Sequence, residues 1–197
     1  MRGDAANPGT LTLEDLENYK VVERDAACVA WKGLSVCGMG PPSSGAYAVG
    51  QILKLTEQIL RPMQRTLMAW RLIGDATRLA FADRGLYVAD PDFVKVPSGL
   101  INPAYLAGRA RLLSGSKSLS ADEAMPGEPP SDHTLNLAPG EALELPSTSH
   151  ISIVDRFGNA LSMTTTIENG FGSRLMVRGF LLNNQLTDFS FQPEVNG

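Results

Sequence analysis

The residues best placed to do chemistry together are two threonines in the run PSTSHISIVDRFGNALSMTTTIE, Thr148 and Thr166. Between them, Asp155-Arg156-Phe157-Gly158-Asn159 is turn chemistry. It is flanked by Ile151 and Ile153 alternating with polar neighbours, and by the stretch from Leu161 to Ile167, which together spell the two strands of a hairpin. The turn sets the register. If Asp155 faces Asn159, then Thr148 faces Thr166; a two-residue loop shifts the pairing by one and leaves Thr166 diagonal to Thr148. Either way the two hydroxyls occupy adjacent strand positions, within reach of each other. The pair alone is ordinary, because β-branched threonine fits a pleated surface. The segment that leads into it is less so. Residues 114–147 are rich in Ser, Pro, Gly and acidic residues and almost without periodicity, the composition of a mobile, accessible linker. That linker ends at Ser147, where the hairpin starts, as a cleavable junction would.

Other candidates have structural explanations. Ser43 and Ser44 follow two prolines and open a helical pattern, so they read as helix caps. Asp83 and Asp90 read as ion pairing or capping; Asp75 with Arg78, and Asp83 on the opposing side, also read as solvated or helix-end charges. His133 and His150 have no companion at metal-ligand spacing, so no metal site is expected. Cys28 and Cys37, nine positions apart with no CxxC pattern, are expected to be free, half-buried thiols; a disulfide across a tight strand pair is the alternative.

The elements that must position these residues follow from pattern. Thr12 is a helix N-cap with Asp15 at the third helical position. Residues 20–38 suggest two strands with a turn near Trp31-Lys32-Gly33. After PPSSGAY comes a helix with Ile52, Leu53, Leu55, Ile59 and Leu60 on its apolar face. The strongest helix runs from Thr66 to Tyr87, with Leu67, Trp70, Ile73, Ala76, Leu79, Ala80 and Phe81 at helical spacing. Asn102-Pro103-Ala104-Tyr105 starts another helix, to about Leu113. Phe180-Leu181-Leu182 is a third apolar run beyond the hairpin.

Composition sets bounds. The chain has 197 residues, 43% hydrophobic and 19% charged, which suits a globular chain with a sizeable core. Net charge is -4 and no Lys/Arg cluster occurs, so nucleic acid is excluded as an expected partner. No run approaches the roughly 20 apolar residues that a membrane-spanning helix needs.

Several motifs in order give a resemblance to a known family. The run PSTSHISIVDRFGNALSMTTTIENGFGS followed by GFLLNNQLTDFS resembles the subunit junction and small-subunit start of the γ-glutamyltransferases. PPSSGAY, RLAFADRGLYVADPDFVKVP and the opening GTLTLEDLENYK resemble the family's large subunit. The likeness implies an α+β fold, the αββα sandwich of N-terminal-nucleophile hydrolases, here in part. It implies that residues 1–147 are the C-terminal part of a large subunit, with the linker at 114–147, and that 148–197 begin the small catalytic subunit. Family members are longer, with an upstream arginine for the substrate carboxylate and a downstream Ser-Ser pair and Gly-Gly oxyanion hole, so the chain is expected to be a fragment.

The resemblance also assigns roles. Thr148 would attack the Ser147–Thr148 bond, become a new terminus, and use its own α-amine, with a pKa of roughly 8, as the base. His150 is then a strand residue and not the base. Thr166 would hydrogen-bond the nucleophile. Gln185 and Asp188 match residues that hold the α-amino group of a γ-glutamyl donor, and Asn183-Asn184 would shape their loop. Glu168 stands where better-known members have asparagine. A carboxylate there can accept from an ammonium, yet adds charge beside Asp188. The expected activity is transfer of a γ-glutamyl group from a glutathione-like amide to water or an amine, by a large/small subunit heterodimer with no cofactor. The alternatives are a related glutaryl/cephalosporin-type amidase and an inactive, unprocessed fragment. The compartment is left open between bacterial periplasm and cytoplasm.

Overall fold

The computed structural model describes residues 10–57, 59, 66–135, 137–138 and 148–185. They divide into two compact units, Val22–Gly140 and Met1–Val21 with Glu141–Gly197. Helix and sheet are mixed, and among the described residues each sheet has two antiparallel strands.

In the Val22–Gly140 unit, β1 (Ala26–Trp31) and β2 (Leu34–Met39) form a hairpin closed by Lys32 and Gly33. Both turn residues have positive φ, 47° and 80°, the two-residue geometry that matches strand twist. Counting outward from that turn, Cys28 faces Cys37 at a non-hydrogen-bonded pair, where strands approach most closely. Their Cα atoms are 4.1 Å apart and the sulfurs are bonded. The expectation of two free thiols is therefore corrected, because a tight turn placed the pair opposite each other. Strand structure begins at Ala26 and not near residue 20.

Helix α2 (Gly45–Thr56) follows. Ser44 sits at its N-cap but makes no capping bond; its Oγ accepts from Arg84 Nε at 2.9 Å. Helix α3 (Leu67–Tyr87) is capped by Thr66, whose Oγ1 accepts from the Ala69 amide at 3.2 Å. Leu55, Leu72, Ala76, Leu79 and Leu113 form the core, with Ile52 and Ile59 at its margin. The apolar stripe expected of α3 is shifted by this packing: Ala69, Leu72, Ala76, Leu79 and Ala80 are buried, whereas Leu67 and Trp70 are 90% and 65% exposed and Ile73 and Phe81 are exposed too. Small side chains let the neighbouring segments approach, and that approach selected the face. Leu60 lies outside the described residues. Helix α4 (Pro103–Ala110) is capped by Asn102, whose Oδ1 accepts from the amides of Ala104 and Tyr105, and a 3-10 turn continues it over Arg111–Ser114.

Two carboxylates of α3 are inside rather than solvated. Asp75 is 2% exposed and Asp83 1%. Asp83 Oδ1 accepts from Arg109 Nη2 at 3.1 Å and the Gly127 amide at 2.9 Å; Oδ2 accepts from Gln51 Nε2 at 3.1 Å and Tyr105 Oη at 2.7 Å. A buried charge is tolerable when paired and fully bonded in this way. Burial, and then the bond to Asp83, pushes the Tyr105 phenol up, which keeps it a donor. The reading of Asp83 as an ion-pairing residue holds, and its reading as a solvated charge is corrected by its burial. Asp75, read as solvated, instead pairs with Arg71 at 3.3 Å and accepts from the Leu119 amide at 3.2 Å.

These bonds also correct the expectation of a mobile linker over its first part. Residues 115–130 have no regular structure, yet their main chain is held by side chains. Arg71 donates to the carbonyls of Gly115 and Lys117, Arg78 to Leu119, Arg109 to Met125 and Tyr87 to Gly127. The Gly99 amide donates to Pro130 O at 3.0 Å, and a Cβ on Gly99 would lie 2.3 Å from that oxygen, so only glycine fits there. Composition cannot see this docking, because nearly every contact is made to backbone.

In the other unit, α1 (Leu13–Asn18) opens with the expected capping box. Asp15 N donates to Thr12 Oγ1 at 3.2 Å, and Thr12 N to Asp15 Oδ2 at 2.7 Å. The same unit contains β3 (Ser149–Val154), β4 (Ala160–Thr165), β5 (Met176–Val177) and β6 (Phe180–Leu181).

Candidate active site

The β3–β4 hairpin is built from its turn. Asp155 Oδ1 accepts from the amides of Phe157 and Asn159 at 2.8 and 2.9 Å, and Oδ2 from Asn159 Nδ2 at 2.8 Å. The Asp155 amide donates to Asn159 O at 3.0 Å, and Gly158 takes φ +85°. The side-chain bond from Asn159 leads the causes that hold the Asp155 carboxyl below its ordinary range. Asp155 therefore faces Asn159, and of the two registers read from the sequence the structure adopts the one that brings Thr148 opposite Thr166. Ser149 pairs with Thr165, His150 with Thr164, and Ile151 with Met163.

One step beyond the last ladder pair, Thr148 Oγ1 donates to Thr166 Oγ1 at 3.1 Å. Strand alternation puts Thr148, His150, Ser152, Ser162, Thr164 and Thr166 on one face. His150 is engaged with its strand neighbours: Nδ1 is 2.8 Å from Thr164 Oγ1, and Nε2 is 3.0 and 3.2 Å from the hydroxyls of Ser152 and Ser162.

Beyond β4 the chain turns sharply. Glu168 has φ +69° and is 7% exposed. Its amide donates to Thr166 Oγ1 at 2.9 Å, so that oxygen accepts from both Thr148 and Glu168. The Asn169 amide donates to Glu168 Oε2 at 2.9 Å and to Asn184 Oδ1 at 3.0 Å, while the Asn184 amide donates to Ile167 O at 3.3 Å. A loop after β4 is thus tied to the loop after β6. The small β5–β6 hairpin turns at Arg178 and Gly179, both with positive φ. Gly172, at φ +52°, lies so near Leu182 that a Cβ would sit 2.1 Å from its carbonyl oxygen.

Of the residues singled out from sequence, Thr148, Thr166 and Glu168 come together here. Asn184 joins them, and the Gln185 amide donates to Asn183 Oδ1 at 3.1 Å in the same loop. Ser147 and Asp188 lie outside the described residues. The sequence reading missed the left-handed conformation of Glu168 and the role of Asn169. The Glu-Asn-Gly sequence signals a turn, but a turn signal favours Asn or Gly for positive φ and so points past Glu168. Among the described residues no group of three or more His, Cys, Asp or Glu could hold a metal ion, and no helix is long and apolar enough to cross a membrane.

The mixed helical and sheet fold has counterparts among known proteins. The family model for gamma-glutamyltranspeptidase matches residues 2–197, and the chain belongs to that family. It is 38% identical over 196 residues to the glutathione hydrolase proenzyme of Escherichia coli (strain K12), covering 96% of this chain and 32% of that protein. It is 32% identical over 194 residues to the Acylase ACY 1 proenzyme of Pseudomonas sp. (strain V22), covering 96% and 32%. In structure it is similar to the cephalosporin acylase from Bacillus halodurans, with a TM-score of 0.68 over 94% of this chain and 31% of that one at 24% identity, a likeness of fold. The chain spans about a third of the length of these curated relatives, 32% in both cases.

Proposed function

We propose that the protein carrying this chain is a self-cleaving γ-glutamyltransferase/hydrolase with Thr148 as its nucleophile. The observation that carries this reading is the bond from Thr148 Oγ1 to Thr166 Oγ1, at the position where the hairpin register places it. Thr148 Oγ attacks the carbonyl of Ser147, the peptide C–N bond breaks as the C–O ester forms, and water hydrolyses the ester. A carboxyl remains on Ser147 and an α-amine on Thr148. The amine, with a pKa of roughly 8, then takes the proton of its own hydroxyl. The hydroxyl attacks the γ-glutamyl carbonyl of a glutathione-like amide, the leaving amine departs protonated, and water or a second amine accepts the acyl group. This chemistry asks for no metal or organic cofactor.

In this reading residues 1–147 belong to the large subunit and 148–197 to the small one, and the elements described are part of an αββα sandwich. Glu168, Gln185 and Asp188 hold the donor ammonium, for which carboxylates are the fitting partners. Intact-mass measurement on the full-length protein tests the proposal. Two fragments split at Ser147–Thr148, and a single uncut chain for Thr148→Ala, are expected; a wild-type protein that stays uncut sinks it.

A second reading, an amidase for another acyl group, is favoured by one observation, the acidic Glu168 in this loop; a relative is named an acylase. Turnover of a γ-glutamyl anilide against its glutaryl analogue separates the two. Preference for the amine-free substrate supports the second reading.

A further inference from the structure

We infer that Glu168 is a positioning residue whose left-handed backbone, rather than its carboxylate, aims the amide that holds Thr166 against Thr148; the inference rests on the reading of Thr148 as the nucleophile. Three observations carry it. First, Glu168 adopts φ +69°, a region that residues with a Cβ enter at a cost and that β-branched residues resist most. Strained backbone of this kind persists only where its surroundings enforce it, and it concentrates at functional sites. Second, the left-handed turn folds the chain back, so that the amide of Glu168 reaches the hydroxyl oxygen two residues earlier, at 2.9 Å. Third, that oxygen is the acceptor for Thr148 at 3.1 Å. With one lone pair fixed by the Glu168 amide, the other is presented to the Thr148 proton, and that bond orients the Thr148 oxygen.

The turn is enforced from its far side. Glu168 Oε2 and Asn184 Oδ1 both accept from the Asn169 amide, and Asn184 returns a bond to Ile167 O. Glu168 is buried within this arrangement. The carboxylate thus helps to keep the turn, while the part that touches Thr166 is main chain.

Self-cleavage isolates this role, because it involves no donor substrate and so cannot report on carboxylate binding. In the full-length protein, Glu168→Gly and Glu168→Asn, which accept positive φ, are expected to cleave at Ser147–Thr148 within about threefold of wild type, and Glu168→Val at least about tenfold more slowly. The donor-binding role proposed for the carboxylate reads out separately, as a raised KM for a γ-glutamyl anilide in the processed Gly and Asn variants, which are not expected to keep wild-type turnover. Gly and Asn slowed as much as Val, or Val cleaving at the wild-type rate, overturns the inference. Should Glu168→Val not accumulate as folded protein, the order of Gly and Ala decides: Ala slower than Gly supports the inference, and Ala equal or faster overturns it. Placing Glu168→Val on a Thr166→Val background should add no further loss, since the effect runs through Thr166; an additive loss overturns it. Failure of the underlying reading looks different: the wild type is never cut at this bond, or Thr148→Ala still is.

Discussion

Asp155 shows how one side chain commits a whole site. Its carboxylate gathers two amides and the Asn159 side chain, and the register that follows puts Thr148 opposite Thr166. Those bonds favour the ionised form, so the folded pKa lies below the ordinary 3.8. For a carboxyl with a depressed folded pKa, the stabilisation is fully present above the unfolded value and is lost as pH falls through the folded one. Amide shifts of Phe157 and Asn159 followed by NMR should therefore hold steady down to the ordinary aspartate range and change below it. Asp155→Asn should abolish that acid transition, and a transition that persists in the variant would assign it to another group.

Among the elements, α3 does the most to organise its unit. Its buried face presents Asp75 and Asp83 to the segment 115–130, which they and three arginines hold by its backbone. Removing one partner of a buried, bonded charge strands the others. Asp83→Ala is expected to cost about 3–5 kcal/mol of stability, because Arg109 is then buried without its counter-ion. Hydrogen exchange should show the Gly127 amide losing protection along with the global loss. A variant with unchanged stability and an unchanged Gly127 amide would show that the network is dispensable. The β1–β2 hairpin carries a different kind of brace. Loop closure by Cys28–Cys37 is worth about 3 kcal/mol in the chain-entropy account. Reduction should therefore lower the unfolding temperature of the wild type but not of Cys28→Ala/Cys37→Ala, and thiol titration of the unreduced protein should find no free cysteine. One or two thiols per chain before reduction would contradict the bond.

For the whole molecule, protection should differ between the units. Leu79 and Ala76 are wholly buried, whereas every residue of β3 and β4 is exposed, including Ile151, Ile153, Leu161 and Met163 on the face opposite Thr148. A two-stranded hairpin with little burial opens at small cost. In the 197-residue chain, amides of β3 and β4 should exchange orders of magnitude faster than those of α3; equal protection would show that this face is covered. The two halves serve different ends in the proposed function, one carrying the reactive hairpin and one a stable helical body.

What could be read from sequence was whatever neighbours along the chain decide. The capping box of Thr12 and Asp15, the Asn102 cap, and the Asp155–Asn159 turn are all closed within a few residues, so their outcome is written locally. The hairpin pairing of Thr148 with Thr166 follows from that turn by counting. The family motifs were legible because they are contiguous. Tertiary structure decided the rest. It selected the small-residue face of α3 over the larger apolar one, buried Asp75 and Asp83, joined Cys28 to Cys37, docked a segment that composition marks as linker, and forced Glu168 into a left-handed turn. Each of these depends on partners far off in sequence or on the closeness of packed backbones, and a side chain's type alone does not say which partner will arrive.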